Sequence, residues 1–141
     1  MDAVEGVERA VARLYPKVRF DTTGPRDALV AMERQDLDEI LGNVIENAAK
    51  YGGGSVFVTV DPDPADELCA VWIEDDGLGI TETDRAKLFS RGARLDTKKP
   101  GTGLGLAIVR DVVEIYGGKV ELGESEDLGG LLVMLRLPRA A

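Results

Sequence analysis

Three groups of residues could do chemistry together. Asn43, Asn47 and Lys50 stand at i, i+4 and i+7 and so share one face of any helix that holds them. A neutral amide offers oxygen to a hard cation without a change of proton state, and a lysine one turn on meets phosphate as a point charge. Asp75-Asp76-Gly77-Leu78-Gly79 follows an apolar run. A carboxylate there can accept a hydrogen bond from an exocyclic amine, while Gly-x-Gly lets backbone approach a flat ligand. Gly101-Thr102-Gly103-Leu104-Gly105-Leu106 opens a helical pattern, where bare N–H groups and the helix dipole favour an anion. Each pattern alone also describes something ordinary: a solvated polar face, an Asp-Gly turn, a glycine-rich helix start. In this order they are the parts for Mg–ATP, namely metal ligands, an adenine reader and a phosphate cradle. The last group is neither a phosphate-binding P-loop, since no Gly-Lys-Ser/Thr follows, nor a dinucleotide fingerprint, since Leu106 stands where glycine is needed.

The elements that must position these groups are legible from periodicity. Val4, Val7, Val11 and Leu14 predict a helix over 2–14, closed before Pro16. Residues 17–22 alternate as a strand, and 28–32 suggest another short one. Leu37, Leu41, Val44, Ile45 and Ala48 form the apolar stripe of a helix over 34–51, opposite the Asn43–Asn47–Lys50 face. SVFVTV (55–60) and LCAVWIE (68–74) predict a hairpin around Asp61-Pro62-Asp63-Pro64, with Trp72 read as a core residue. Thr81 can cap a short helix over 81–90, and the aperiodic stretch 91–102 reads as a loop. A helix over 103–116 and two strands, KVELGE and LLVMLRL, complete the chain. Helices mixed with antiparallel hairpins predict a two-layer α/β sandwich of the α+β class rather than a doubly wound parallel sheet.

Composition sets bounds. A chain of 141 residues with 44% hydrophobic content fits one domain with one core. The absence of histidine excludes a Ser-His-Asp triad, a Cys-His pair and an HExxH zinc site within the chain. The single Cys69 reads as a buried thiol and fits a reducing, cytoplasmic setting. A net charge of −9 argues against nucleic acid as a partner. Residues 81–100 depart from that balance, with six basic and three acidic side chains, a net of +3 that leaves −12 elsewhere. Such an island suits a local anion site, and equally a solvated loop. No stretch reaches the roughly 18 apolar residues of a membrane span, and no signal pattern opens the chain.

Four segments carry a resemblance. LGNVIENAAKYG (41–52), EDDGLGI (74–80), KLFSRG (87–92) and GTGLGLAIVRDVVEIYGG (101–118) resemble the N, G1, F and G2 boxes of the catalytic, ATP-binding domain of sensor histidine kinases. That domain belongs to the Bergerat-fold (GHKL) superfamily, together with gyrase, Hsp90 and MutL. The resemblance spans residues 15–138, and RGARLDTKKPGTGLGLA (91–107) is similar to the PhoQ-type subgroup.

The resemblance implies that Asn47 binds Mg²⁺ with help from Asn43, that Lys50 contacts phosphate, and that Tyr51 lies near the nucleotide. It implies that Asp75 reads the adenine amine while Gly77, Gly79 and Ile80 accommodate the base. Phe89 would pack the hinge of an ATP lid over about 81–102, and Arg91 and Arg94 would approach the terminal phosphates. Gly101, Thr102, Gly103, Leu104, Gly105 and Leu106 would line the phosphates. The lid is expected to tighten on ATP. Residues 1–14 are expected to be the tail of a dimerisation region or a linker, with the catalytic unit at 15–141.

Two departures refine these expectations. Gyrase-type ATPases and, usually, the stand-alone anti-sigma-factor serine kinases, the alternative reading, place glutamate four residues before the metal-binding asparagine. Here that position is Asn43, which cannot act as a general base at neutral pH. Slow hydrolysis and a preserved γ-phosphate are expected. The chain also lacks an acceptor histidine. The family pattern therefore implies phosphoryl donation to a histidine on a separate dimerisation domain, with a response regulator downstream. The chain itself is expected to be a cytoplasmic, monomeric part of a longer kinase whose parent is anchored in the inner membrane.

Overall fold

The computed structural model describes residues 2–25, 30–51, 54–62, 68–77, 105–125 and 128–139. Three helices, α1 (Asp2–Leu14), α2 (Arg34–Tyr51) and α3 (Gly105–Ile115), pack on one face of a five-stranded sheet. The strands are β1 (Arg19–Thr23), β2 (Ser55–Pro62), β3 (Leu68–Asp75), β4 (Lys119–Glu124) and β5 (Leu131–Pro138), in the order β1-β2-β3-β5-β4. Only β1 and β2 pair in parallel, joined through α2, and every other neighbour is antiparallel. This is the two-layer α+β sandwich the sequence predicts.

Alternation decides which face the helices cover. Val56, Val58 and Val60 of β2 stand opposite Asp75, Ile73 and Val71 of β3, and the latter two stand opposite Val133 and Leu135 of β5. All the apolar members of this set are buried. With Cys69 and Leu137 they form the floor of the core, and Ile40, Leu41, Val44 and Ile45 of α2 form its roof. Ala3, Val4, Val7 and Val11 put α1 into the same core, while Leu14 is 68% exposed at its end. The apolar face of α2 is wider than one stripe, since Ile40 and Ala49 are buried too. The helix is central, contacting α1, α3, β2 and β3.

One reading differs from the observed fold. Trp72 is half-buried on the sheet face away from the helices, because it alternates with Val71 and Ile73; its indole N–H has no partner among the described residues. Of the strand expected at 28–32, residues 30–32 are described: Val30 bridges Arg139, and the Ala31 amide donates to Pro138 O at 2.7 Å. The helix expected over 103–116 is described from Gly105 to Ile115. It closes with Gly118 N donating to Val113 O and Gly117 N to Glu114 O, with Gly117 at φ 82°. That geometry satisfies the last carbonyls and favours glycine at 117. The helix expected at 81–90 and the loop at 91–102 lie outside the described residues.

Candidate functional site

The described residues singled out by the sequence lie on α2, at the end of β3 and at the start of α3. Tyr116, just past α3, donates its hydroxyl to Asp36 in the first turn of α2. The C-terminal end of α3 is thereby tied to the N-terminal end of α2, against which it packs. Arg19 N donates to Gly54 O at 2.7 Å and Asp76 Oδ1 accepts from Ser55 N at 2.9 Å, which ties the end of β3 to the start of β2.

Asp75 closes β3 on the helix-facing side, opposite Val56, and is 5% exposed. Its Oδ1 accepts from Gly77 N at 2.9 Å and from Leu131 N at 3.1 Å. Its Oδ2 takes no hydrogen bond from a described residue. Burial pushes the carboxyl above the ordinary aspartate range, and the nearby Asp76 adds to the rise; the amides of Gly77 and Leu131 pull the other way. With Oδ1 engaged by two backbone donors, the carboxylate keeps acceptor capacity at Oδ2.

Asn43, Asn47 and Lys50 are half-buried along α2. Leu106 is 4% exposed and belongs to the core, so only its backbone is offered to an anion. Gly77 donates to Asp75, as the Asp-Gly pattern allows. Gly79, Ile80, Phe89, Arg91, Arg94, Gly101, Thr102, Gly103 and Leu104 lie outside the described residues, as does the side chain of Tyr51. Among the described residues no three histidine, cysteine or acidic side chains form a metal cluster.

Sequence reading missed the turn between β4 and β5. Ser125 is 1% exposed; its hydroxyl donates to Glu74 Oε1 at 3.3 Å and accepts from Leu128 N at 3.0 Å. Ser125 N donates to Gly130 O and Gly129 N to Ser125 O, both at 2.8 Å, which closes the turn on itself. Glu74, Asp75 and Ser125 are the buried polar side chains of the described residues, and all three meet here. The Gly129-Gly130 pair ahead of an apolar strand was the available signal.

A buried carboxylate ends β3, and an asparagine-bearing helix covers the mixed sheet. The sequence profile of the histidine kinase-, DNA gyrase B- and HSP90-like ATPases matches residues 32–141. The chain belongs to that ATPase family. Within this family it is 37% identical over 123 residues to the sensor protein kinase CarS of Pseudomonas aeruginosa, covering 87% of this chain and 27% of that one. It is 45% identical over 98 residues to the sensor protein PhoQ of Escherichia coli, covering 70% and 20%. The chain therefore spans about a quarter or less of these relatives.

Among solved members, the mycobacterial sensor histidine kinase MprB superposes with a TM-score of 0.82 at 27% identity, over 98% of this chain and 94% of that one. The ATP-binding domain of PrrB from Mycobacterium tuberculosis gives 0.79 at 27% identity, over 99% and 93%. The chain is thus a GHKL catalytic domain homologous to those of sensor histidine kinases, including PhoQ-like ones. No helix of the described residues is long and apolar enough to cross a membrane.

Proposed function

We propose that this domain binds Mg–ATP at the end of the sandwich around Asp75 and donates the γ-phosphoryl group to a histidine on a separate dimerisation domain. The observation that carries the reading is the buried Asp75 carboxylate, with Oδ1 held by two backbone amides and Oδ2 left for an exocyclic amine. In the transfer the bond from the β–γ bridging oxygen to phosphorus breaks and an N–P bond forms on the imidazole. ADP keeps the bridging oxygen, and the imidazole proton passes to solvent. Such chemistry asks for positioning and charge neutralisation more than for covalent work by the protein.

The donor set fits magnesium that arrives with phosphate. Asn47 and Asn43 are neutral amides, so they complete a coordination shell whose anionic oxygens come from the nucleotide, the usual manner for this ion. Bound there, magnesium would neutralise developing phosphate charge. Lys50, one turn on, would add a positive charge to the phosphates, as would Arg91 and Arg94. The N-terminus of α3, with Gly101, Thr102, Gly103, Leu104 and Gly105, would present N–H groups. Gly77, Gly79, Ile80, Tyr51 and Phe89 would enclose the base.

Asn43 supports donation over hydrolysis, since an amide does not take a proton from water at neutral pH. The reading also takes the chain as part of a longer kinase, entered through residues 1–14, with the catalytic unit at 15–141. Its partners would be the histidine-bearing domain and a response regulator, on the cytoplasmic side of a membrane-anchored parent. Incubating the chain with ATP and the parent's dimerisation domain tests this. Label on that domain's histidine supports it, whereas rapid phosphate release with no label contradicts it.

A further inference from the structure

We propose that Gly130, with Ser125 behind it, is a positioning residue that sets nucleobase selectivity by fixing Asp75; the proposal rests on the reading of Asp75 as the amine acceptor. Gly130 has no left-handed φ, unlike its neighbour Gly129 at φ 81°, so backbone conformation does not demand glycine there. Space does. A Cβ at 130 would fall on both the carbonyl oxygen and Oδ1 of Asp75, far inside van der Waals contact. Neither is the tip of a flexible side chain. One is backbone at the end of a central strand, and the other is an oxygen already bonded to Gly77 N and Leu131 N.

The close approach has a chemical consequence. Because residue 130 has no side chain, β5 starts near enough for Leu131 N to reach Asp75 Oδ1. That bond and the one from Gly77 fix the rotation of the carboxyl and decide which oxygen is left. Ser125 keeps the turn in place by joining Glu74, the residue before Asp75, to Leu128. Two adjacent carboxylates of β3 are thus tied to one turn, Glu74 through a hydroxyl and Asp75 through an amide. A side chain at 130 must rotate Asp75 or push β5 away, and in either case Oδ2 leaves its place.

The test compares binding of ATP with binding of the purine riboside triphosphate that lacks the 6-amino group, on the 141-residue chain. The affinity ratio is independent of the fraction folded, so a merely structural role does not move it. The wild type should prefer ATP by about tenfold or more, the usual worth of a hydrogen bond to a charged group. Gly130→Ala should bring the ratio close to one, and Ser125→Ala, which adds no clash, should narrow it by about threefold. In an Asp75→Asn background Gly130→Ala should leave the ratio unchanged.

A wild-type ratio near one overturns the reading of Asp75 itself. A wild-type preference that survives in Gly130→Ala overturns the positioning proposal and leaves that reading intact. Should Gly130→Ala not fold, Ser125→Ala decides: an undiminished preference overturns the proposal.

Discussion

The backbone N–H of Leu131 stands 3.1 Å from Oδ1 of Asp75, joining the start of one central strand to the last residue of its neighbour. This bond separates the two carboxylate oxygens by role. Asparagine at 75 keeps an Oδ1 that can accept from Leu131 and Gly77, but puts an NH₂ donor where an amine must be received. Asp75→Asn should therefore fold and lose ATP binding by about a hundredfold, since a donor facing a donor forfeits a charge-assisted bond. Calorimetric titration with ATP, beside a thermal melt, checks both halves.

The buried carboxyl also makes binding depend on pH. Its raised pKa means that Asp75 takes up a proton at a higher pH than an ordinary aspartate. ATP affinity should fall as the pH drops through that raised value. The stability consequence has the same origin. The folded state binds the proton more tightly than the unfolded state, so the contribution of Asp75 to stability is full below the unfolded value and is lost as pH rises through the folded one. Asp75→Asn should accordingly gain stability relative to wild type at neutral pH, and that gain should shrink on acidification. Paired denaturant titrations at several pH values read the difference.

Metal dependence should reside in α2. Asn47→Ala should remove most of the increase in ATP affinity that magnesium confers, about tenfold, and leave the metal-free affinity nearly unchanged. Titrations with and without magnesium in excess chelator distinguish this from a general loss of binding.

Asn43 should set the balance between donation and hydrolysis. Asn43→Glu places a carboxylate one turn before Asn47, where it can accept a proton from an attacking water. Phosphate release should rise about tenfold or more over wild type, followed by a coupled colorimetric assay. Unchanged release would show that the residue has no part in holding hydrolysis down.

The core makes a separate prediction. Leu135, fully buried at the sheet centre, packs between Val71 and Val120 across the two neighbouring strands. Leu135→Ala should cost about 2–5 kcal/mol by chemical denaturation, the range for an aliphatic truncation that leaves a cavity.

Much of the fold was legible because its periods are clean. The stripe through Leu41, Val44, Ile45 and Ala48 marked α2, and the alternation of SVFVTV and LCAVWIE marked a hairpin whose register then placed Asp75 on the covered face. Trp72, expected in the core, is instead turned to the uncovered face by alternation with Val71 and Ile73. The elements of the site were legible as residue types, and Asp75 stood out by its place after a strand. What holds Asp75 was not, because Leu131 lies 56 residues further along the chain and donates through a backbone amide that no side-chain pattern betrays.

The most direct test is titration of this chain with ATP in the presence and absence of magnesium, with phosphate release followed in the same samples. Saturable, magnesium-strengthened binding of one ATP per chain, with release no faster than in a protein-free blank, is the predicted result. Absence of saturable binding, or turnover as brisk as that of a dedicated ATPase, would contradict the account.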